Sequence, residues 1–193
     1  MKSNNPQKYN HVIMGGWLDK ADGVVFTNWS YGNFNPDNLQ VSYGQDFGFS
    51  IDPTTLVAVA INKKKKKIYV KQHLYKPKLT TSEIGTINLN VCGRSLIVAD
   101  SAEPRLIDEL NRLGCNITPT EKGAGSISAG IALMQDYEIV VEPSSTDVAK
   151  ELNNYIYADK GSKLYVDDYN HAIDAIRYNV FYHLGRSFKI EIR

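Results

Sequence analysis

Asp46, Asp100 and Asp174 are the side chains of this 193-residue sequence best placed to do chemistry. Asp46 lies inside Tyr43-Gly44-Gln45-Asp46-Phe47-Gly48-Phe49. Asp100 ends the apolar run Leu96-Ile97-Val98-Ala99. Asp174 follows His171 by one helical turn in Asn170-His171-Ala172-Ile173-Asp174-Ala175-Ile176-Arg177-Tyr178. A carboxylate inside a strand is costly unless something pairs with it. Three of them, drawn from distant parts of the chain, would hold divalent metal if the fold brought them together. Two such ions activate water and stabilise the leaving oxygen of a phosphodiester, which is the chemistry of a metal-dependent nuclease.

Each candidate has a plainer role to weigh against this one. For Asp46 that role is a turn or cap, against which the strand-like aromatics and glycines around it argue. Asp100 suits an N-cap for the helix that opens near Pro104, where a carboxylate also favours the helix dipole. Position alone leaves it between cap and ligand. His171 and Asp174 lie three apart on one helix face. They are either a surface pair or metal ligands, and imidazole suits Mn²⁺ better than Mg²⁺. Lys122 and Ser126 flank the Gly-rich stretch Gly123-Ala124-Gly125 before a helix N-terminus, where backbone N–H groups favour phosphate. The lysine run 63–67, with Lys64, Lys65 and Lys66 at its centre, is a solvated hairpin tip or a grip on DNA backbone that reads no sequence. His73, Glu103 and Arg177 form a second tier near the site.

The elements that must position these residues follow from periodicity. Residues 1–10 are polar, and 11–17 and 24–29 are short extended pieces. A three-strand meander spans 41–49, 56–61 and 68–75, with the lysine tip between the last two. The pattern then alternates: helix 81–90, strand 95–99, a helix opened by Pro104 and stopped at Gly114, strand 116–119, helix 126–135, strand 138–141 and helix 145–153. A hairpin at 155–166 and a final helix at 169–184 complete the order. The last helix carries an apolar stripe of Ile173, Ile176, Val180 and Leu184. Three antiparallel strands followed by βα units predict an α/β mixed sheet with helices on both faces, an order that resembles the ribonuclease H-like fold. Residues 1–40 read as a linker or N-terminal extension and 41–193 as the domain.

Bulk composition bounds the function. Apolar residues at 42% and charged residues at 22% suit a globular core. A net charge of +1 gives no global basic field, so DNA contact must come from a local patch. Cys92 and Cys115 fit no metal or disulfide pattern and read as reduced and structural. No apolar run approaches 18 residues and no secretory leader is evident, which argues against a membrane partner. No Walker-type phosphate loop is present.

Taken in order, these segments resemble the C-terminal nuclease domain of the large terminase subunit of tailed bacteriophages. The resemblance rests on residues 43–49 with Asp52-Pro53-Thr54, on Ala99-Asp100-Ser101-Ala102-Glu103-Pro104, on Lys122-Gly123-Ala124-Gly125-Ser126-Ile127 and on 170–178. It covers nearly the whole chain, and residues 9–17 are similar to the segment joining motor to nuclease. It implies a two-metal endonuclease that cuts concatemeric viral DNA during packaging into procapsids, with little sequence preference. Asp46, Asp100, His171 and Asp174 would be its catalytic and metal-binding residues, Asp100 bridging both ions. Lys122, Ser126, Lys64, Lys65 and Lys66 would contact DNA. The implied partners are double-stranded DNA, an ATPase motor domain, the small terminase subunit and the portal protein. The expected location is the host cell cytoplasm. The family normally carries the motor upstream, so the chain is expected to be an excised nuclease domain, with cutting regulated by the motor and by the 155–166 hairpin. His73 stands where many relatives have Glu. The site is therefore expected to be softer than a three-acid cluster and to favour Mn²⁺ over Mg²⁺. A Holliday-junction resolvase or transposase-like nuclease and a non-catalytic DNA or portal docking domain are the alternatives. A sugar-kinase-like fold lacks its phosphate-loop glycines.

Overall fold

The computed structural model describes residues 23–36, 38–121, 123–158 and 164–188. Lys122 and residues 1–22, two sites of sequence expectation, lie outside them. Seven strands form one sheet: β1 Trp29–Tyr31, β2 Val41–Asp46, β3 Thr54–Asn62, β4 Lys67–Lys76, β5 Ile97–Ala99, β6 Ile117–Pro119 and β7 Glu138–Val141. Their spatial order is β1-β7-β4-β3-β2-β5-β6. The β2-β3-β4 meander is antiparallel, and the remaining pairings are parallel. Among the described residues, five helices connect and cover the sheet: α1 Thr81–Cys92, α2 Pro104–Arg112, α3 Ser126–Gln135, α4 Thr146–Asn154 and α5 His171–Phe188.

Alternation along β3 divides the interior into two cores, because successive strand side chains point to opposite faces. Val57 and Val59 join Ile131, Met134, Val148, Leu152, Ile173 and Ile176 beneath α3, α4 and α5. Leu56 and Ala58 join Ile84, Ile97, Ile107, Leu110 and Ile117 beneath α1 and α2. Helices on both faces are thus a direct consequence of the sequence pattern. The two cysteines sit in the second core as free, buried thiols. Burial pushes Cys92 up to about 12 and raises Cys115 as well.

Local chemistry sets the element ends. Thr80 and Glu83 form a reciprocal capping box that starts α1. The apolar stripe expected on the last helix is buried throughout, at Ile173, Ile176, Val180 and Leu184. The first strand of the meander ends at Asp46 rather than continuing to residue 49, so Asp46 stands at a strand end and not in its middle. Beyond it the chain turns sharply: Thr54 Oγ1 donates to the Gly48 carbonyl at 2.7 Å, and Lys78 N–H to the Phe49 carbonyl at 2.7 Å. Residues 24–31, read as part of a linker, contribute β1 to the sheet edge and Val25, Phe26 and Trp29 to the core. The 155–166 segment pairs at Tyr157 with Tyr165 and through Ala158 N–H to the Leu164 carbonyl at 2.9 Å.

Candidate active site

Parallel pairing places Gln45 of β2 beside Ala99 of β5, so Asp46 and Asp100 emerge together at the carboxyl ends of adjacent strands. Neighbouring strands lie roughly 4.8 Å apart. α5 crosses directly over β2. An added Cβ at Gly44 would fall 1.8 Å from the Ala175 carbonyl oxygen, so only glycine permits that approach. The first turn of α5 thereby brings His171 and Asp174 to Asp46. His171 Nδ1 lies 3.2 Å from Asp46 Oδ2, and its Nε2 lies 3.6 Å from Asp52 Oδ1. The Tyr178 hydroxyl stands 3.3 Å from both Asp46 Oδ1 and Asp174 Oδ2. Arg177 grips Asp174 through Nε at 3.0 Å and Nη2 at 2.9 Å.

These groups line a cleft of about 1050 Å³. Its described lining includes six aspartates, Asp46, Asp52, Asp100, Asp167, Asp168 and Asp174, against one arginine, Arg177. The electrostatic effect registers on Asp46. Burial raises its carboxyl above the ordinary range, the His171 hydrogen bond pulls the other way, and repulsion from Asp174 and Asp100 adds to the rise. His171 is raised in turn, first by its hydrogen bond to Asp46, against the effect of its own burial. Burial also raises the Tyr178 phenol, and Asp174 and Asp46 add to it, so Tyr178 is a neutral hydrogen-bond donor between two carboxylates. Burial works against the Arg177 charge, but Asp174 outweighs it and keeps the guanidinium firmly cationic.

Asp46, Asp100, His171, Asp174, Arg177 and Ser126 therefore share the cleft. Ser126 opens α3, whose first turn follows Gly125 in the left-handed region at φ 78°. Asp100 is not the cap of α2: Glu103 holds that position without a side-chain bond, and Asp100 Oδ1 accepts from Ala102 N–H at 2.9 Å. Glu103 itself borders a neighbouring groove with Phe49, Ile51 and Arg105. His73 is the extra residue where β4 shifts register against β3, between Leu74 opposite Leu56 and Gln72 opposite Val57. It is exposed, its ring centroid 5.9 Å from that of Tyr43, and it does not line the cleft. Lys64, Lys65 and Lys66 sit at the far end of the β3-β4 hairpin, roughly 25 Å from Asp46 at about 3.3 Å per strand residue. Lys66 lies over the Tyr137 ring at 4.6 Å. Asp52 and Tyr178 stand in segments that carry the family resemblance but were given no site role from the sequence, and Asp167 and Asp168 were not singled out. Tyr178 lies one turn beyond Asp174, which was the available signal, whereas the three aspartates sit in turns whose closure over the cleft is tertiary.

Among the described residues, no group of three or more His, Cys, Asp or Glu side chains is gathered closely enough to hold an ion as it stands. The donor chemistry nevertheless fits a hard divalent cation. The lining is rich in carboxylate oxygen, and the repulsion on Asp46 is of the kind a cation relieves.

A mixed sheet flanked by helices on both faces, with acidic residues at the ends of two adjacent parallel strands and on the last helix, defines a ribonuclease H-like domain. Residues 46–181 match the terminase RNase H-like domain, and the chain belongs to that family. It is 31% identical over 92% of its length to the terminase large subunit of Bacillus phage SPP1, and 28% identical over 70% to the PBSX phage terminase large subunit of Bacillus subtilis. The chain spans less than half the length of either relative, 46% and 33%. Among solved structures it resembles the SPP1 large terminase nuclease domain with bound Mn, at TM-score 0.72 and 28% identity, over 83% of this chain and 98% of that one. The phage P22 large terminase nuclease domain, at TM-score 0.67 and 16% identity over 86% of this chain and 94% of that one, shares the fold.

Proposed function

We propose that this domain is a metal-dependent endodeoxyribonuclease that cuts concatemeric viral DNA during packaging, with little sequence preference. The observation that carries the reading is the cleft's charge: six aspartates, two of them at the ends of adjacent strands, facing one arginine. Such a surface repels a phosphodiester unless cations intervene, and the SPP1 relative is described with bound Mn.

In this reading Asp46 and Asp100 hold the ions, with His171 or Asp174 completing the set. A bound divalent ion supplies Lewis acidity for activating water and for stabilising charge on the departing oxygen. The protein's own groups do the positioning. Tyr178 spaces Asp46 from Asp174 by offering its hydroxyl to both. Arg177 turns Asp174 into a fixed, charge-balanced group, since a guanidinium fork binds a carboxylate in one plane. His171 orients Asp46 through Nδ1. The start of α3, with Ser126, offers backbone N–H groups to a DNA phosphate, and Lys122 is proposed beside it. Base-edge readers are not evident, so recognition runs through the backbone. An upstream ATPase motor, a small terminase subunit and the portal are the partners this role requires, in the host cytoplasm.

Plasmid cleavage tests the reading. We expect cutting at millimolar Mn²⁺, weaker cutting with Mg²⁺ and none with EDTA, because a His-containing site is a poorer match for Mg²⁺. Linear duplex should be cut as readily as a branched junction. Strict preference for the junction would favour a resolvase, and binding without cleavage in any metal would leave a docking domain.

A further inference from the structure

We propose that Glu151 is a positioning residue of the cleft: from α4 its buried carboxylate caps the first turn of α5 and so sets where His171 and Asp174 stand. The inference rests on the nuclease reading for its consequence, not for its geometry. Glu151 is 1% exposed, and it lines no part of the cleft. Oε2 accepts the Ile173 N–H at 2.9 Å, and Oε1 accepts the Tyr75 hydroxyl at 3.0 Å.

The first N–H groups of a helix have no partner within it and need one from elsewhere. At α5 the local candidate is Asn170, whose carbonyl accepts from Asp174 N–H and whose side-chain amide donates to Asp167 at 2.9 Å. The Ile173 N–H is satisfied instead from another helix. Glu151 is itself fixed from the sheet. Gln72 of β4 accepts the Asp147 and Val148 N–H groups at 3.1 and 3.2 Å and donates to Asp147 at 2.7 Å, which pins the start of α4. Tyr75, three residues along β4, then holds the carboxylate. A buried carboxyl group is an expensive way to join two helices, since an apolar contact of the same volume serves stability as well or better. What the carboxylate adds is direction: an acceptor oxygen held from the sheet by Tyr75 fixes the Ile173 N–H, and with it the helix start, in azimuth and height. β4 thus acts on the site through Tyr75 and Glu151, on the α5 face of the sheet, rather than through a ligand at His73.

The test uses the whole chain, with amide hydrogen exchange in EDTA and cleavage against Mn²⁺ concentration. In Glu151→Ala we expect exchange at residues 172–174 to quicken at least about tenfold while β2 and β3 amides keep their protection. Cleavage should fall about 10- to 100-fold with a raised Mn²⁺ midpoint, the range for residues that orient a metal site's ligands. Glu151→Gln keeps length and an acceptor oxygen and should recover most of both. Wild-type exchange and midpoint in Glu151→Ala, or Glu151→Gln as impaired as Glu151→Ala, would overturn the proposal. If Glu151→Ala does not fold, Tyr75→Phe decides. Several-fold faster exchange at 172–174 with a raised midpoint supports the relay, and no change in either refutes it. A wild-type chain that cuts in no metal would sink the nuclease reading alone, because the exchange data still report on Glu151.

Discussion

Asp46 is held in a setting that works against its charge. It is 9% exposed, faces Asp100 and Asp174, and keeps its ionised form mainly through His171. Because its folded pKa lies above the unfolded one, it favours the fold while protonated, below the unfolded value. That contribution is lost as pH rises through the raised folded value. His171, also raised, contributes through its charged form at low pH and loses that as pH rises through its own folded value. The two signs combine into one expectation. In EDTA, Asp46→Asn should gain on the wild type as pH rises through the folded value of His171, because the buried charge then loses its cationic partner. The gap should shrink below that value, where the His171–Asp46 pair helps the wild type. Thermal scans against pH check it, and a gap that does not widen toward alkaline pH would contradict it. Asp100 shows why position alone left a choice: its carboxylate does bond a backbone N–H, at Ala102, yet it also faces the cleft. A local pattern cannot separate those roles, because both need an acid at the end of a strand.

At the scale of elements, two glycines decide how closely the site is drawn together. Gly44 lets α5 rest on β2. Gly130 of α3 leaves room for the Arg177 stem, since an added Cβ would lie 2.6 Å from its Cγ. Gly44→Ala meets backbone and should destabilise by about 3 kcal/mol or more, at the upper end of overpacking costs. Gly130→Ala meets the stem of a buried arginine whose guanidinium is held by Asp174. It should cost about 1–3 kcal/mol in stability, less than Gly44→Ala, and should shift the Mn²⁺ midpoint by displacing Arg177 from Asp174. Thermal scans and cleavage against Mn²⁺ concentration check both, and equal destabilisation by the two substitutions would refute the distinction. The helices and strands themselves were legible in the sequence because each carries its own period and caps, as in the Thr80–Glu83 box and the Ile173–Leu184 stripe. What was not legible is tertiary. β1 is three residues long and gains its place only by pairing with β7. The Glu151–Ile173 bond joins two helices that no periodicity connects.

For the whole molecule, the site and the lysine tip occupy opposite ends of the β3-β4 hairpin. The +1 net charge gives no field to bring DNA to an acidic cleft, so the isolated domain should bind duplex weakly and lose affinity steeply with salt. Replacing Lys64, Lys65 and Lys66 with Ala should leave cleavage and its Mn²⁺ midpoint unchanged at every salt concentration. A drop at moderate salt that recovers at low salt would instead place the tip on the DNA track. The family resemblance read from motif order was sound because the motifs lie at strand ends and at two helix starts, the points that a ribonuclease H-like sheet brings together.

The central claim is that Asp46 and Asp100 jointly hold the ion on which cleavage depends. Anomalous diffraction from crystals grown with Mn²⁺ measures this directly. The account predicts a peak within coordination distance of both carboxylates, about 2.0–2.3 Å for a hard divalent ion, with His171 or Asp174 also in contact. The peak should be absent from Asp46→Asn crystals treated identically. Saturating Mn²⁺ that leaves both aspartates without an ion, or that binds elsewhere in a domain that still cuts DNA, would contradict it.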